Sequence, residues 1–207
     1  MSIALPSKIV CVGKNYVDHA KEMGGEVPSE PLVFLKPPSA IIGTGEPIVL
    51  PPQSTHVEHE AEIGLVISKR MRWVSEAEAM AGVAGFTCVN DVTARDFQKK
   101  DDQWARAKGF DTFCPVGPAV VGGLDWTKLS VIGRVNGQVR QHGRAADMAY
   151  GIPFLISFIT TFLTLEPGDL ILTGTPAGVG RLVAGDVVEV EIPGVGILRN
   201  PVVAAPR

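Results

Sequence analysis

The stretch that decides the fold runs from Glu58 to Lys69 and reads EHEAEIGLVISK. Its second half is almost wholly apolar, which predicts a long strand buried in the core. Its first half carries Glu60 and Glu62, and side chains two positions apart on a strand project from the same face. The sequence therefore places two like charges side by side where the chain enters an apolar interior.

Two neighbouring carboxylates repel each other unless a cation lies between them, and a divalent ion would relieve both that repulsion and the cost of burial. Oxygen ligands favour Mg²⁺, Mn²⁺ or Ca²⁺ over zinc. Asp91 stands at the end of the next apolar strand, predicted over Val83–Val92, and is available as a third ligand. The alternative for Glu60 and Glu62 is a solvated strand end with Glu58 as a third exposed acid, and for Asp91 an Asx-turn or helix cap. Spacing alone leaves both readings open.

The histidines and cysteines do not form a zinc-site pattern. His56 and His59 are three positions apart, so on a strand they diverge and cannot chelate one ion; we expect them to be structural or exposed. Cys11, Cys88 and Cys114 are odd in number and show no repeated spacing. No disulfide framework follows, and we expect reduced, mostly buried thiols in a cytoplasmic protein.

A second candidate for chemistry lies near the N-terminus. Residues 16–23 predict one or two helical turns that end at Gly24-Gly25, and His19 and Glu22 meet on one face of such a helix. A carboxylate beside an imidazole fixes its tautomer and stabilises the cation formed when the ring takes a proton. Because no serine or cysteine is partnered with this pair, the nucleophile of a hydrolytic reaction would be water. The alternative is an exposed helical ion pair.

The rest of the chain predicts a β-dominated α+β fold in a single domain over residues 1–207. The 23 glycines and 16 prolines favour many turns and strands over a helical bundle. Asn136-Gly137 between alternating residues predicts a two-residue hairpin, and Ser75 with Glu78 predicts a helix N-terminus. The other expectations are a strand over Ile9–Gly13, a loop over Pro28–Pro38, a strand over Leu170–Thr173, a core helix over Pro153–Phe162 and a closing hairpin of Val187–Ile192 with Gly196–Arg199.

Composition narrows the function classes. A chain of 207 residues with 45% hydrophobic residues and a formal net charge of −3 can fill a core, and it lacks the basic surface that nucleic-acid binding needs. The longest apolar segment, Phe154–Leu165, is well short of the ~20 residues that cross a bilayer, and the N-terminus does not match a signal peptide. We therefore expect neither nucleic acid nor membrane as a partner. The glycine loop Thr173–Gly180 is not a Walker A motif, but its N–H groups and the Thr175 hydroxyl could hold a carboxylate.

Taken together, these motifs resemble the fumarylacetoacetate hydrolase family, in its short acylpyruvase-like branch. The resemblance runs from Ile9 to about Pro201, with five elements in the family's order, and it favours the functional readings of the acids and of His19 over the alternatives. Gly109 departs from the pattern, since many relatives carry a serine there. The five elements are Gly13–Tyr16 with His19-x-x-Glu22, His59–Gly64, Asn90–Asp96, Lys108–Asp111 and Leu165–Pro176.

The resemblance implies a mixed β-sheet roll and a homodimer, with Mg²⁺ or Mn²⁺ (or Ca²⁺ as a surrogate) held by Glu60, Glu62 and Asp91. It implies that Lys108 lies beside the metal. The implied reaction is hydrolysis of the C–C bond of an acylpyruvate, such as fumarylpyruvate or acetylpyruvate, to pyruvate and a carboxylic acid. The alternatives are oxaloacetate decarboxylation or tautomerisation, isomerisation of a 2-hydroxy-dienedioate, and non-catalytic binding of a dicarboxylate.

By the same resemblance, His19 and Glu22 form a water-activating dyad on an N-terminal segment, residues 14–30, that orders as a lid over bound ligand. The substrate is then a small 2-oxo acid. The positions that match a substrate pocket are Tyr16, Arg95, Gln98 and Thr175.

Overall fold

The computed structural model describes residues 5–206, which form strands β1–β15 and helices α1–α5. The helices are α1 (Val17–Glu22), α2 (Glu76–Ala79), α3 (Arg95–Lys100), α4 (Ala105–Lys108) and α5 (Ile152–Thr160). The strands are β1 (Ile9–Gly13), β2 (Leu32–Lys36), β3 (Ile41–Ile42), β4 (Ile48–Leu50), β5 (Val57–His59), β6 (Ala61–Ile67), β7 (Val83–Asn90), β8 (Thr93–Ala94), β9 (Cys114–Pro115), β10 (Ser130–Val135), β11 (Gln138–Arg144), β12 (Leu170–Leu172), β13 (Gly180–Arg181), β14 (Val187–Ile192) and β15 (Gly196–Ala204).

Strand β6 is an inner strand of a five-stranded mixed sheet in the order β2-β1-β12-β6-β7. All seven of its residues are buried, as its apolar sequence predicts. Ile63 and Leu65 belong to the same apolar cluster as Ile156 of α5, whereas Val66 belongs to a second cluster. A β-carbon at Gly64 would lie only 2.5 Å from the Val89 side chain, so glycine allows β6 and β7 to approach closely.

A second five-stranded sheet, in the order β11-β10-β14-β15-β4, accompanies the first. A three-stranded sheet, β13-β5-β8, and the pair β3-β9 complete the strand pairing. Parallel pairs (β1 with β12, β15 with β4, β3 with β9) are mixed with antiparallel ones. The β-dominated α+β class with mixed sheets is therefore confirmed.

Local signals predicted several elements closely. Asn136 and Gly137 have φ of 52° and 76° and join β10 to β11, because this two-residue turn needs positive φ at both positions. Ser75 forms a capping box with Glu78 at the start of α2. The core helix is present as α5, with a proline in its first turn.

Two expectations about local structure, one of a loop and one of a long strand, were wrong. The segment predicted as a loop over Pro28–Pro38 contains β2, because Leu32–Lys36 pairs in antiparallel register with β1 and so satisfies its backbone groups at the sheet edge. The long strand predicted from Glu58 is split into β5 and β6, which meet at Glu60. Lys36 is buried as the last residue of β2. The break between β5 and β6 falls at Glu60, which is a candidate metal ligand.

All three cysteines are buried and free, as expected. Burial raises the pKa of Cys88 to about 11 and that of Cys114 to about 12, so both stay protonated and unreactive near neutral pH. Within residues 5–206, no helix combines the length and the apolar character that crossing a membrane requires.

Candidate metal centre

The predicted acidic residues come together in the core. Ala61 of β6 pairs with Asn90 of β7, and the Asp91 N–H donates to the Glu60 carbonyl at 2.9 Å, so both acids stand at the same end of the two strands. Glu62 projects beside them from β6. One carboxylate oxygen from each residue lies within 4.8 Å of the others, and all three side chains are buried. The alternative of a solvated strand end is thereby excluded.

Two of these acids are held by cations. Lys108 Nζ donates to Glu60 Oε2 at 2.8 Å and to Asp91 Oδ2 at 2.7 Å. Arg95 Nη2 pairs with Glu60 Oε1 at 2.6 Å, and Lys36 Nζ donates to Asp91 Oδ1 at 2.6 Å. Burial would raise the pKa of Glu60, but Lys108 and Arg95 hold that pKa well below its usual value. Glu60 is therefore a carboxylate throughout the physiological range.

Glu62 differs from the other two acids. Its Oε2 accepts a hydrogen bond from the Gly174 N–H at 2.7 Å, and no lysine, arginine or histidine in residues 5–206 forms an ion pair with it. Burial, together with the charges of Asp91 and Glu60, raises its pKa well above the ordinary value. Glu62 is thus the one acid of the cluster without a cationic partner among the described residues, and its raised pKa favours the protonated form until a cation binds.

The donor set fits a hard divalent cation. With Glu58, which pairs with Arg95, four carboxyl groups face the three cations named above, so that one negative charge is unmatched in the interior whenever Glu62 is ionised. A buried unmatched charge is costly. Three converging carboxylates are the ligands that Mg²⁺, Mn²⁺ or Ca²⁺ accept, and a cation beside Glu62 would remove the repulsion that raises its pKa.

The predicted dyad lies against the same region. His19 on α1 is buried, and its Nδ1 lies 3.1 Å from Glu22 Oε2. The Glu22 carboxylate can only accept, so this contact assigns the ring proton to Nδ1 and leaves a lone pair on Nε2. Glu22 also accepts from the Gly178 N–H, at 3.0 Å and 3.2 Å to its two oxygens. His19 is buried and Glu22 is exposed, but the glycine loop binds Glu22 from outside the helix, so the pair is more than a surface ion pair of α1.

A cavity of about 180 Å³ joins His19 of the dyad to Glu60 and Asp91 of the acids, whereas Glu22 and Glu62 do not line it. Seven of the predicted residues line it together, and apolar side chains form part of the same wall. The seven are His19, Glu60, Asp91, Arg95, Gln98, Lys108 and Thr175.

A family model described as fumarylacetoacetate (FAA) hydrolase C-terminal matches residues 8–203. The chain belongs to the fumarylacetoacetate hydrolase family. An uncharacterised protein of Methanocaldococcus jannaschii is 51% identical over 195 residues, which cover 94% of this chain and 82% of that protein. Human oxaloacetate tautomerase FAHD2A, a mitochondrial protein, is 46% identical over 213 residues, which cover 97% and 68%.

A solved structure has the same fold as this chain. The 2-hydroxyhepta-2,4-diene-1,7-dioate isomerase of Mycobacterium marinum superposes with a TM-score of 0.91 at 47% identity, over 98% of this chain and 77% of that one. The fold predicted from the family resemblance is therefore confirmed. These two relatives are named a tautomerase and an isomerase, which match the alternative reactions predicted from the sequence better than acylpyruvate hydrolysis.

Three of the predicted substrate contacts line the cavity, but their polar groups are largely engaged. Arg95 donates Nε to Glu58 Oε2 at 2.6 Å and Nη1 to Gln98 Oε1 at 2.8 Å, beside its ion pair with Glu60. The Thr175 hydroxyl donates to the Ala61 carbonyl at 2.9 Å. Arg95 consequently holds the acids in place, whereas the Gln98 amide keeps its N–H donors for a ligand.

Tyr16 does not fit its predicted place. It lies in a different depression with Pro176 and His142, and burial raises the pKa of its hydroxyl. That hydroxyl is buried, and it has no hydrogen-bond partner among the described residues. Direct contact between Tyr16 and a substrate in the cavity has no support in this geometry.

The glycine loop after β12 holds carboxylates, as predicted, but they belong to the protein. The Gly174 N–H binds Glu62 and the Gly178 N–H binds Glu22. Gln141 fastens this loop to β6, since its Nε2 donates to Thr175 Oγ1 at 2.7 Å and its Oε1 accepts from the Ala61 N–H at 2.9 Å. One loop thus positions both the uncompensated acid and the dyad.

Sequence reasoning missed Lys36 and misplaced Glu58. Lys36 is 2% exposed. The sequence feature that could have indicated its burial is its position directly after the apolar run Leu32–Leu35. Glu58 is not an exposed acid, because it pairs with Arg95 at 2.6 Å and with His56 at 2.8 Å. His59 is buried against Gln141, which agrees with its predicted structural role.

Proposed function

We propose that this protein catalyses proton transfer at the carbon next to the 2-oxo group of a small 2-oxo acid, as a metal-dependent tautomerase or isomerase. The observation that carries the proposal is the position of His19. This buried imidazole, paired with Glu22, lines the same cavity as Glu60 and Asp91 of the acidic cluster. A base and a candidate cation site on one cavity are the two components that enolisation needs.

Glu60, Glu62 and Asp91 are the residues that would hold the divalent cation, with Mg²⁺ or Mn²⁺ as the expected ion and Ca²⁺ as a surrogate. When bound, such a cation supplies Lewis-acid stabilisation of the negative charge that develops on the 2-oxo oxygen. The donor set and the unmatched charge of Glu62 support this assignment.

The side chains divide the remaining tasks. His19 Nε2 takes the proton from the substrate carbon, and the Glu22 carboxylate stabilises the imidazolium that results. The imidazolium then returns the proton to the enolate oxygen in a tautomerisation, or to the conjugated carbon in an isomerisation. Burial would lower the pKa of Lys108, but Asp91 and Glu60 raise it above its usual value. Lys108 therefore stays an ammonium group and stabilises developing negative charge on the substrate instead of acting as a base.

The comparisons support proton transfer. The human relative is named an oxaloacetate tautomerase, and the relative from Mycobacterium marinum is a 2-hydroxyhepta-2,4-diene-1,7-dioate isomerase. Both reactions interconvert an enol with a keto or conjugated form, and each needs one base beside a stabilised oxyanion. We infer the same class of reaction for this chain.

Hydrolysis of an acylpyruvate is the second candidate. A histidine whose Nδ1 is held by a carboxylate can also take a proton from water, and the resulting hydroxide would attack the 4-carbonyl. Oxaloacetate decarboxylation is a further possibility at the same site and requires no attacking water. The intact dyad disfavours a role as a non-catalytic dicarboxylate-binding protein.

The test is a substrate panel with Mg²⁺ and Mn²⁺ and with product identification. It contains enol-oxaloacetate, a 2-hydroxy-dienedioate, acetylpyruvate and fumarylpyruvate. We expect enol-to-keto conversion or double-bond migration to exceed C–C cleavage, and a chelator to abolish the reaction. Pyruvate formation from acylpyruvates as the fastest reaction would favour the hydrolase instead, and activity that survives the chelator would refute the metal requirement.

We also propose a homodimer, on the basis of the family resemblance. Light scattering of the purified chain at several concentrations is the measurement. A mass of one chain at all concentrations would refute it.

A further inference from the structure

A second cavity, of about 510 Å³, borders the glycine loop and shares no lining residue with the cavity of the acidic cluster. Valine side chains give it some apolar surface, and among the described residues no acid lines it. Its basic lining residues are His59 of β5, Arg140 of β11 and Arg181 of β13. A cavity that carries guanidinium groups without acids attracts anions.

The hydrogen bonds of Gln141 fix the ring of His59. Nε2 of Gln141 donates to Thr175 Oγ1 and to the Pro176 carbonyl, both at 2.7 Å, so the orientation of this amide is set. Its oxygen lies 2.9 Å from His59 Nδ1 and can only accept. The ring proton is therefore on Nδ1, and Nε2 of His59 keeps its lone pair.

His59 Nε2 is the polar atom that this ring offers to the second cavity. His59 is only 1% exposed, and its Nε2 lies 3.6 Å from the position of a β-carbon at Gly180, which lines the same cavity. Within residues 5–206, the side-chain hydrogen bonds of His59 involve Nδ1 alone. Burial lowers the pKa of His59, and the charge of Arg140 acts in the same direction, so the ring is neutral near pH 7. A ligand that binds Nε2 must therefore bring a proton.

Arg140 reaches this cavity from an irregular point of its strand. The register of β10 against β11 shifts after Gly133, so that Arg140 lies opposite no residue of β10. An extra residue of this kind forms a β-bulge, which bends the strand and re-aims its side chains. Among the described residues Arg140 forms no ion pair, and its Nη2 donates to the neutral amide oxygen of Gln138 at 3.1 Å. The charge of Arg140 is therefore available to an anion.

The second cavity is connected to the catalytic dyad through the glycine loop. Gly178 lines the cavity, and its N–H donates to Glu22 of the dyad. Gly178 has φ of 101°, and a β-carbon there would overlap the carbonyl of Arg140, so the loop lies directly on β11. A ligand held by Arg140 and His59 would thus lie against the loop that positions Glu22.

We infer that the second cavity binds a hydrogen phosphate group and that this binding stabilises the glycine loop. Hydrogen phosphate carries the two features that the cavity requires, namely anionic oxygens for the guanidinium of Arg140 and an O–H group for Nε2 of His59. Sulfate has the same shape but no proton at neutral pH, so it would place an oxygen lone pair against Nε2. The group is either free phosphate or the protonated form of a phosphate monoester.

The first test uses the wild-type protein and does not depend on a variant folding. Calorimetry at neutral pH and constant ionic strength, without added metal, measures the dissociation constants of inorganic phosphate, glycerol 3-phosphate and sulfate. We expect phosphate to bind saturably and at least about tenfold more tightly than sulfate, since one charge-assisted hydrogen bond contributes that order of affinity. Tighter binding of glycerol 3-phosphate would identify a monoester as the ligand, and weaker binding would identify free phosphate. Equal affinity for phosphate and sulfate, or no saturable phosphate binding, would overturn the inference.

Two variants locate the bound phosphate. Arg140→Gln should lower its affinity about tenfold, and His59→Asn should bring the ratio of phosphate to sulfate affinity close to one, because asparagine can still donate to Gln141 but does not reach the position of Nε2. The matched controls are Arg144→Gln, an exposed arginine of β11 outside this cavity, and Lys99→Gln, which lies in the cavity of the acidic cluster. Both controls should bind phosphate as wild type does. A loss in Lys99→Gln with none in Arg140→Gln would place the phosphate in the other cavity and refute the site.

Hydrogen exchange tests the effect on the loop. Saturating phosphate should slow exchange over residues 176–181 and in α1 of the wild-type protein, because Gly178 links the loop to Glu22. Arg140→Gln at the same phosphate concentration should show a smaller effect. Unchanged exchange in wild-type protein saturated with phosphate would refute the stabilisation of the loop. These measurements require no turnover, so their outcome is independent of the proposed reaction.

Discussion

The two walls of the cavity are built in opposite ways. The sheet wall carries Glu60 and Asp91, buried carboxylates locked by Lys36, Lys108 and Arg95. The helix wall carries the dyad on α1, a helix of six residues in which His19 and Ala20 are buried and the Glu22 carboxylate accepts from the Gly178 N–H. On the sheet wall the same contacts serve both stability and the site, whereas on the helix wall the functional groups can be changed at little cost to the fold.

This difference follows from burial and charge. A buried ion pair contributes little net stability when intact, but removal of one partner leaves an unpaired charge in the interior. Changes on the sheet wall should therefore unfold the protein as well as disable it. Changes on the helix wall should separate activity from stability.

The largest effect is expected from Asp91→Asn. Among residues 5–206, Lys36 forms its ion pair with Asp91 alone, so it would become a buried unpaired cation, and such a loss costs about 3–5 kcal/mol of unfolding free energy. Urea denaturation of the metal-free protein measures it. The paired variant Lys36→Met with Asp91→Asn removes both charges and should recover a large part of the loss. If the single and the paired variants were equally unstable, the cost would not come from the orphaned lysine.

The second effect is confined to catalysis. His19→Gln removes the base, so kcat should fall by about 10²–10⁴-fold. The glutamine amide can still donate to Glu22, and the free energy of unfolding should change by less than about 1 kcal/mol. His142→Gln, an exposed histidine on β11, is the control and should leave kcat unchanged. A His19→Gln protein as active as wild type would remove His19 from the mechanism.

The elements of the fold that could be predicted from the sequence are those specified by local signals, whereas those that depend on distant partners could not. Strand periodicity and the Asn136-Gly137 turn are local signals, so they located β6 and the hairpin between β10 and β11. The loop predicted around Leu32–Leu35 was wrong because the pairing of β2 with β1 depends on a partner far along the chain. Local chemistry cannot show which distant backbone groups an edge strand will meet.

The site shows the same limit. Spacing placed Glu60 and Glu62 on one face, local sequence made Asp91 and His19 candidates, and the family resemblance favoured their functional roles and added Lys108. Lys36 was missed because its partner Asp91 is 55 positions away. The loop's role in holding Glu22 and Glu62 was also out of reach, since a free N–H group looks the same in sequence whether it binds a substrate or a protein carboxylate.

The third prediction concerns Glu62 on β6, where a change should weaken cation binding without destabilising the fold. Glu62→Gln should weaken Mg²⁺ or Mn²⁺ binding about 100-fold. Loss of a residue that only hydrogen-bonds to a metal ligand already weakens metal binding by up to about 100-fold. The variant leaves no cation unpaired, because Glu62 forms no ion pair among residues 5–206. Calorimetry with each metal, beside urea denaturation without metal, gives both numbers. Equal metal affinity in this variant and wild type would exclude Glu62 as a ligand.

The smallest effect sharpens the description of the helix wall. In Glu22→Gln, the amide oxygen can still accept from the Gly178 N–H and from His19 Nδ1, but the negative charge is lost. Charge-assisted hydrogen bonds are about twice as strong as neutral ones, so kcat should fall about tenfold.

Glu22→Ala removes the hydrogen bond to Gly178 as well and should lower kcat further. Hydrogen exchange over residues 14–30 should rise in the alanine variant only, because only there is α1 released from the glycine loop. Equal exchange and equal kcat in both variants would mean that Glu22 acts through its charge alone and that the contact with Gly178 does not position the dyad.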